Sequence, residues 1–205
     1  FAATPPSSSR LDYARTIDLG DMNGDGWLDV IYGSDVDGEV GWYENNRAAL
    51  PAFTNHLVTT EMEAVKSVAV ADVDHDGDLD ITAGGEGTFL FFESNGARTP
   101  DFEPQSLTPD VAGFRDVTIA DLNGDGQRDL LSASEDDFRV VWYPNQKMHR
   151  SAYFSAQTRN VISVRSSSRM AHSGDLDRDG DMDVVSISNG ALLWHENNGL
   201  VVPSF

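Results

Sequence analysis

A nine-residue pattern, D-x-[DN]-x-D-G-x-x-D, occurs four times along the 205-residue chain and leaves few folds open to it. The copies are DMNGDGWLD from Asp21, DVDHDGDLD from Asp72, DLNGDGQRD from Asp121 and DLDRDGDMD from Asp175, with first residues 51, 49 and 54 positions apart. A fixed period near 50 residues marks a repeat architecture, in which each unit buries its apolar face against the next. The flanks repeat as well. TIDLG, SVAVA, DVTIA and MAHSG stand before the copies, and VIYGS, ITAGG, LLSAS and VVSIS follow them. Such short runs, mostly rich in valine and isoleucine, with Gly or Ser closing the later ones, read as strands. A third run ends in an aromatic pair and a turn (GWYENN, LFFESNG, VWYPNQ, LWHENNG). A fourth starts at an aromatic, FTNHLVTT from Phe53 and FEPQSLT from Phe102, with a less regular counterpart near Tyr153 and Phe154. Four strands per repeat predict an all-β single domain, a β-propeller with blades over about 12–59, 60–108, 109–160 and 161–205.

The loops have the chemistry of a hard-cation site. Side-chain oxygens at alternate positions of a tight loop converge on one point, and calcium takes six to eight of them. Positions 1, 3, 5 and 9 supply Asp21, Asn23, Asp25 and Asp29; Asp72, Asp74, Asp76 and Asp80; Asp121, Asn123, Asp125 and Asp129; and Asp175, Asp177, Asp179 and Asp183. Position 7 varies (Trp27, Asp78, Gln127, Asp181), so its contribution is read as the backbone carbonyl. Position 6 is always glycine, Gly26, Gly77, Gly126 and Gly180, as a sharp turn with positive φ requires. The EF-hand shares positions 1 to 6 but needs Glu at position 12, where this chain has Tyr32, Ala83, Ser132 and Ser186, and it needs flanking helices. Magnesium prefers a smaller octahedral site with several waters. About four calcium ions, one per repeat, are the expectation.

Charge narrows the partners. The 34 acidic against 14 basic residues give −20, which opposes duplex nucleic acid or anionic lipid as the main partner. Four calcium ions would bring that charge to −12. No run approaches the roughly 18 apolar residues of a membrane span. There is no cysteine for a disulfide or zinc thiolate site. The opening FAATPPSSSR, without methionine or a signal-like apolar region, reads as a processed or excised start.

Several residues outside the loops are candidates. Trp42, Phe91, Trp142 and Trp194 share one repeat position and read as core between blades, with Tyr43, Phe92, Tyr143 and His195 on the opposite face. Small residues, Gly20, Ala71, Ala120 and Gly174, precede each loop, as close packing needs. Trp27, in one loop only, is a candidate partner contact. Lys147, Arg150, Arg159, Arg165 and Arg169 fall in a span without acids, which reads either as a solvated segment or as a docking patch for an acidic glycan or protein. Asp18 and His172 share a first-strand position and would meet in a closed four-bladed ring, as a polar pair or an acid and a base.

The DxDxDGxxD loop, the apolar run after it, WYEN or LWHEN and FTNHLV together resemble the FG-GAP and VCBS repeat propellers, including integrin-like ones, over about residues 12–200. The resemblance implies calcium between the first and second strands of each blade, on Asp21, Asn23, Asp25, Asp29 and their counterparts. It also implies a secreted or surface protein that serves in adhesion, as a lectin or scaffold, or as a non-catalytic part of a polysaccharide-degrading enzyme. Such propellers usually have about seven blades and this chain has four repeats, so a closed four-bladed ring and an arc of a larger seven- or eight-bladed ring both stay open, the ring being favoured. Residues 1–8 are expected to complete the last blade. The functional expectation is a non-catalytic, calcium-stabilised extracellular interaction module, with a glycan-binding lectin or an enzyme part such as a polysaccharide lyase as alternatives.

Overall fold

The computed structural model describes residues 13–48, 52–108, 112–146, 151–155, 159–165, 167–200, 203 and 205. These form four antiparallel sheets and no helix. The first sheet contains β1 (Ala14–Gly20), β2 (Asp29–Ser34), β3 (Val40–Asn45) and β4 (Phe53–Thr59), side by side in chain order. The second contains β5 (Ser67–Ala71), β6 (Asp80–Gly85), β7 (Thr88–Ser94) and β8 (Phe102–Thr108). The third contains β9 (Phe114–Ala120), β10 (Asp129–Ser134), β11 (Arg139–Tyr143) and β12 (Asn160–Val164), and the fourth β13 (Ser168–Gly174), β14 (Asp183–Ser188) and β15 (Ala191–His195). Register places every acidic loop alike: Gly20 pairs with Asp29, Ala71 with Asp80, Ala120 with Asp129 and Gly174 with Asp183. Each nine-residue pattern is thus the connection between the first two strands of its sheet.

The first strands stand in a row, β1 against β5, β5 against β9 and β9 against β13. Strands in neighbouring sheets are tied by a hydrogen bond that recurs at one repeat position. The Val68 amide donates to Thr16 Oγ1 (3.2 Å), Val117 to Ser67 Oγ (3.3 Å) and Ala171 to Asp116 Oδ2 (3.2 Å). Three apolar cores lie between adjoining sheets. Trp42 and Ile31 pack with Val65, Val68 and Ile81; Phe91 with Phe114, Val117 and Leu130; and Trp142 and Leu131 with Ala171 and Val184. The small residue before the loop makes room for the next sheet: a Cβ at Gly20 would fall on Leu79, whereas one at Gly174, in the last sheet, would meet nothing.

The inter-sheet reading of the aromatic position holds for Trp42, Phe91 and Trp142 and not for Trp194, which is 52% exposed. No further sheet covers it among the described residues, and Leu192 and Ile187 beside it are exposed too. At the other end Ile17 is 66% exposed although its counterparts Val68 and Val117 are buried, and Leu19 is exposed where Val70 and Ile119 are partly buried. The described strands therefore do not close into the favoured four-bladed ring. Asp18 and His172 consequently do not meet, because β5 and β9 stand between their strands. Asp18 Oδ2 instead accepts the Val70 amide (2.9 Å), and His172 Nδ1 lies 3.4 Å from Thr118 Oγ1.

The third sheet departs from expectation at its edge. Its fourth strand is Asn160–Val164, past the expected limit at residue 160, and not the segment at Tyr153 and Phe154. Phe154 forms only an isolated bridge to Asn145, and its ring meets Phe91 edge-on (centroids 5.4 Å apart). The longer segment of this repeat lets an aromatic turn back into the core before the edge strand forms. The expectation that residues 1–8 complete the last sheet lies outside the described residues. Trp142→Ala should destabilise the fold by about 3–5 kcal/mol, and Trp194→Ala by less than about 1 kcal/mol, in denaturant melts.

Candidate metal centres

Each loop is wound by its own carboxylates. In loop 1 (residues 21–29) the Asp25 and Gly26 amides donate to Asp21 Oδ1 (2.9 Å) and Oδ2 (2.7 Å). The same two bonds form on Asp72 in loop 2 (72–80) and on Asp121 in loop 3 (121–129). Position 3 accepts the amide of position 5 in all four loops, loop 4 (175–183) included. Position 5 accepts the amide of position 7. These bonds curl the backbone so that position 6 is left-handed at Gly26, Gly77, Gly126 and Gly180. Position 4 is left-handed too, at Gly24, His75, Gly124 and Arg178. The pattern left position 4 undefined because two of its four residues are not glycine.

Position 9 has a job that the spacing did not disclose. Asp29 is fully buried and accepts the Met22 amide on Oδ2 (3.0 Å) and the Asn45 amide on Oδ1 (2.9 Å). Asp80 does the same with Val73 and Ser94, Asp129 with Leu122 and Asn145, and Asp183 with Leu176 and Asn197. One carboxylate thus clips the start of the loop to the end of the third strand. The asparagine after that strand extends the clip across sheets. Asn145 Nδ2 donates to Arg128 O and to Val73 O of the preceding sheet's loop, both at 3.2 Å. Asn197 Nδ2 likewise reaches Met182 O (3.0 Å) and, across the gap, Leu122 O (2.8 Å). The recurrence of Asn45, Asn145 and Asn197 at one repeat position was the available signal.

The donor set fits a calcium-sized ion. Two oxygens on one such ion, at ~2.3–2.6 Å from it, lie within about 5 Å of each other. Carboxylate oxygens of Asp72, Asp74 and Asp80 all lie within 4.8 Å of one another, as do those of Asp175, Asp177 and Asp179. At loop 3, Gln127 Oε1 is buried without a hydrogen-bond partner. In loop 1 the Arg47 guanidinium sits on Asp25 Oδ2 through Nε (2.8 Å) and Nη2 (2.5 Å). Crowded, buried acids resist ionising in such a site. Burial pushes Asp80 and Asp129 up to about 7 against two amide bonds each, and burial, followed by the Asp76 charge, pushes Asp74 up to about 6.

The other candidates are placed singly. Trp27 is half-exposed on loop 1. Lys147 and Arg150 lie outside the described residues. Arg159 lies by Tyr143, Arg165 stands near enough to His195 to add to burial in disfavouring its protonation, and Arg169 bonds Glu135 (2.8 Å), so the three have different neighbours. Glu135 also takes Arg115 and Ser167, and this set of donors holds its carboxyl down at about 2. A groove of about 480 Å³ runs between loops 3 and 4, lined by Thr118, Asn123, Arg128, Ser173, Asp181 and Asn197 among others.

Residues 21–83 and 121–186 match the family described as FG-GAP-like repeat. No curated protein matches the chain. Among solved structures, a lectin of Agrocybe aegerita described as specifically recognising non-reducing terminal N-acetylglucosamine is similar, with TM-score 0.62 and 17% identity. The match covers 95% of this chain and 52% of the lectin, so the chain spans about half that protein's length. The V. cholerae biofilm matrix protein Bap1 aligns with TM-score 0.48 and 18% identity over 89% of this chain and 30% of its own. At these identities the lectin likeness is one of fold.

The raised acids set a pH dependence in the cation-free protein. Their folded pKa lies above the unfolded value near 3.9, so the folded state holds extra protons between about pH 4 and 7, and stability falls as pH rises through that window. Chelated protein should melt higher at pH 5 than at pH 7.5 in calorimetry, and the difference should shrink in Asp80→Asn.

Proposed function

The chain belongs to the FG-GAP-like repeat family, and from that premise we propose that it is a calcium-stabilised, non-catalytic binding module of propeller architecture that works outside the cell. The observation that carries this reading is the convergence of loop carboxylates to within one ion's reach on the same connection of the second and fourth sheets. Bound calcium would supply positive charge where burial and mutual repulsion raise the acids' pKa values. Asp72, Asp74, Asp76 and Asp80, with their counterparts in the other loops, would hold it. The chain's residues wind the loop, clip it to the third strand and strap it to its neighbour. Millimolar extracellular calcium suits open loops of this type, which is the reason for that location.

The finer architecture is an arc of a larger ring. The exposed faces around Ile17 and Leu19, and around Leu192 and Trp194, are those that neighbouring sheets cover elsewhere in the row, and further sheets of the same repeat fit them. Sedimentation of the chain by itself should show concentration-dependent association that Leu192→Lys reduces; a monomer at all concentrations speaks against docking at these ends.

A glycan is the second reading, and the groove between loops 3 and 4 favours it. Its amides, hydroxyls and Arg128 offer the mixed donors and acceptors that sugar hydroxyls need. Binding on a glycan array that survives Arg128→Ala together with Asn123→Ala would remove this groove from consideration. Catalysis has no such support, since Asp18 and His172 stand apart. Calcium should raise the melting temperature, with about 2.7 kcal/mol per site at a hundredfold excess over Kd. An unchanged melt in chelator defeats the calcium reading.

A further inference from the structure

The four loops alternate. Loops 1 and 3 carry Asn at position 3 (Asn23, Asn123), Gly at position 4 (Gly24, Gly124) and a non-acid at position 7 (Trp27, Gln127). Loops 2 and 4 carry Asp at position 3 (Asp74, Asp177), His75 or Arg178 at position 4, and Asp at position 7 (Asp78, Asp181). The backbone follows the same alternation: φ at position 6 is 87° and 83° in loops 1 and 3, against 100° and 99° in loops 2 and 4. The turn after the third strand alternates with them. Arg47 and Lys147 hold in the first and third repeats the position that Gly96 and Gly199 hold in the second and fourth. The family match has the same two-repeat period, since each matched segment spans one loop of each kind.

Geometry explains why the two changes go together. In loop 1 the turn residue is itself the cation, with the Arg47 guanidinium on Asp25 Oδ2. In loops 2 and 4 a carboxylate lies over the turn instead. A Cβ at Gly96 would overlap Asp78 Oδ2, and one at Gly199 would overlap Asp181 Oδ2, so the turn must be bare there. Loops 2 and 4 thus gather five carboxylates each with no basic turn residue, while loops 1 and 3 have three carboxylates and one basic turn residue. Among the described residues, three acids come within 4.8 Å of one another in loops 2 and 4. Affinity for calcium rises with ligand charge and site rigidity.

We propose that the chain has two classes of calcium site, a tight pair in loops 2 and 4 and a weaker pair in loops 1 and 3, with Arg47 acting in loop 1 as a built-in competitor for Asp25. The inference rests on the calcium reading above and replaces four equivalent ions with two strongly held ones. The tight pair then stabilises the fold at all times, while the weak pair responds to changes in calcium.

Calcium titration of the cation-free chain by calorimetry tests it. Two equivalents should bind first and two more at least about tenfold more weakly. Asp76→Asn with Asp179→Asn should weaken the first pair about tenfold or more and leave the second. Arg47→Gly, which copies the turn of loops 2 and 4, should move one site from the weak class toward the tight one, a gain that misfolding cannot imitate. Terbium emission sensitised by Trp27, taken as the difference from Trp27→Phe, should appear only in the late phase. Four sites of one affinity, a tight pair indifferent to the loop 2 and 4 substitutions, or Trp27-dependent emission in the early phase would each overturn this inference and leave the calcium reading standing. A chain that binds no calcium overturns both.

Discussion

The carboxylate at position 9 of each loop, buried and accepting two backbone amides, is the contact on which the rest of each unit depends. It joins the loop to the third strand, and so fixes where the loop sits over its sheet. Removing a carboxylate from water costs several kcal/mol, and two charge-assisted bonds from amides return about 1.5–3 kcal/mol each. The remaining deficit at Asp80 and Asp129 is visible in pKa values raised to about 7. Positive charge placed beside these groups offsets it. A cation bound at such a loop would be coupled through the loop to the sheet beneath.

From one unit to the next, three contacts recur in register. An aromatic of the third strand enters the core against the following sheet, a first-strand side chain accepts an amide from the next first strand, and an asparagine reaches back to the preceding loop. All are nearest-neighbour contacts, so stability accumulates along the row and, among the described residues, each end keeps unmatched surface. Trp194 and Ile17 are the same kinds of residue as Trp142 and Val117, with the same strand geometry, and they differ in having no neighbouring sheet among the described residues. Met170 sits where Thr16, Ser67 and Asp116 provide their acceptors, so the last sheet cannot repeat the first-strand bond.

Much of this was legible without coordinates, because a pattern repeated four times averages out local accident. The loop spacing located every first and second strand, and the aromatic pairs located every third strand. Legibility failed where one copy departs from the others. The third repeat's extra length hid β12 behind Phe154, which looks like a strand start and serves as core. The basic segment was legible as a charge run open to two readings, and only the fold gives its arginines different neighbours, Tyr143 for Arg159, His195 for Arg165 and Glu135 for Arg169. Position 9 was legible as a candidate ligand, but its second role, clipping the loop to the third strand through two amides, depends on a strand end fourteen or sixteen residues away that the nine-residue pattern does not contain.

The sequence by itself determined the unit: its period, its four-strand alternation and the acid-rich turn with glycine at position 6, since these follow from local backbone geometry and side-chain periodicity. It also carried the alternation of loop types, readable as Asn or Asp at position 3 with Arg, Lys or Gly in the turn. Only the tertiary structure decided how the units relate. Whether Asp18 meets His172 and whether Trp194 is core or surface depend on the neighbouring sheet, which no local pattern encodes.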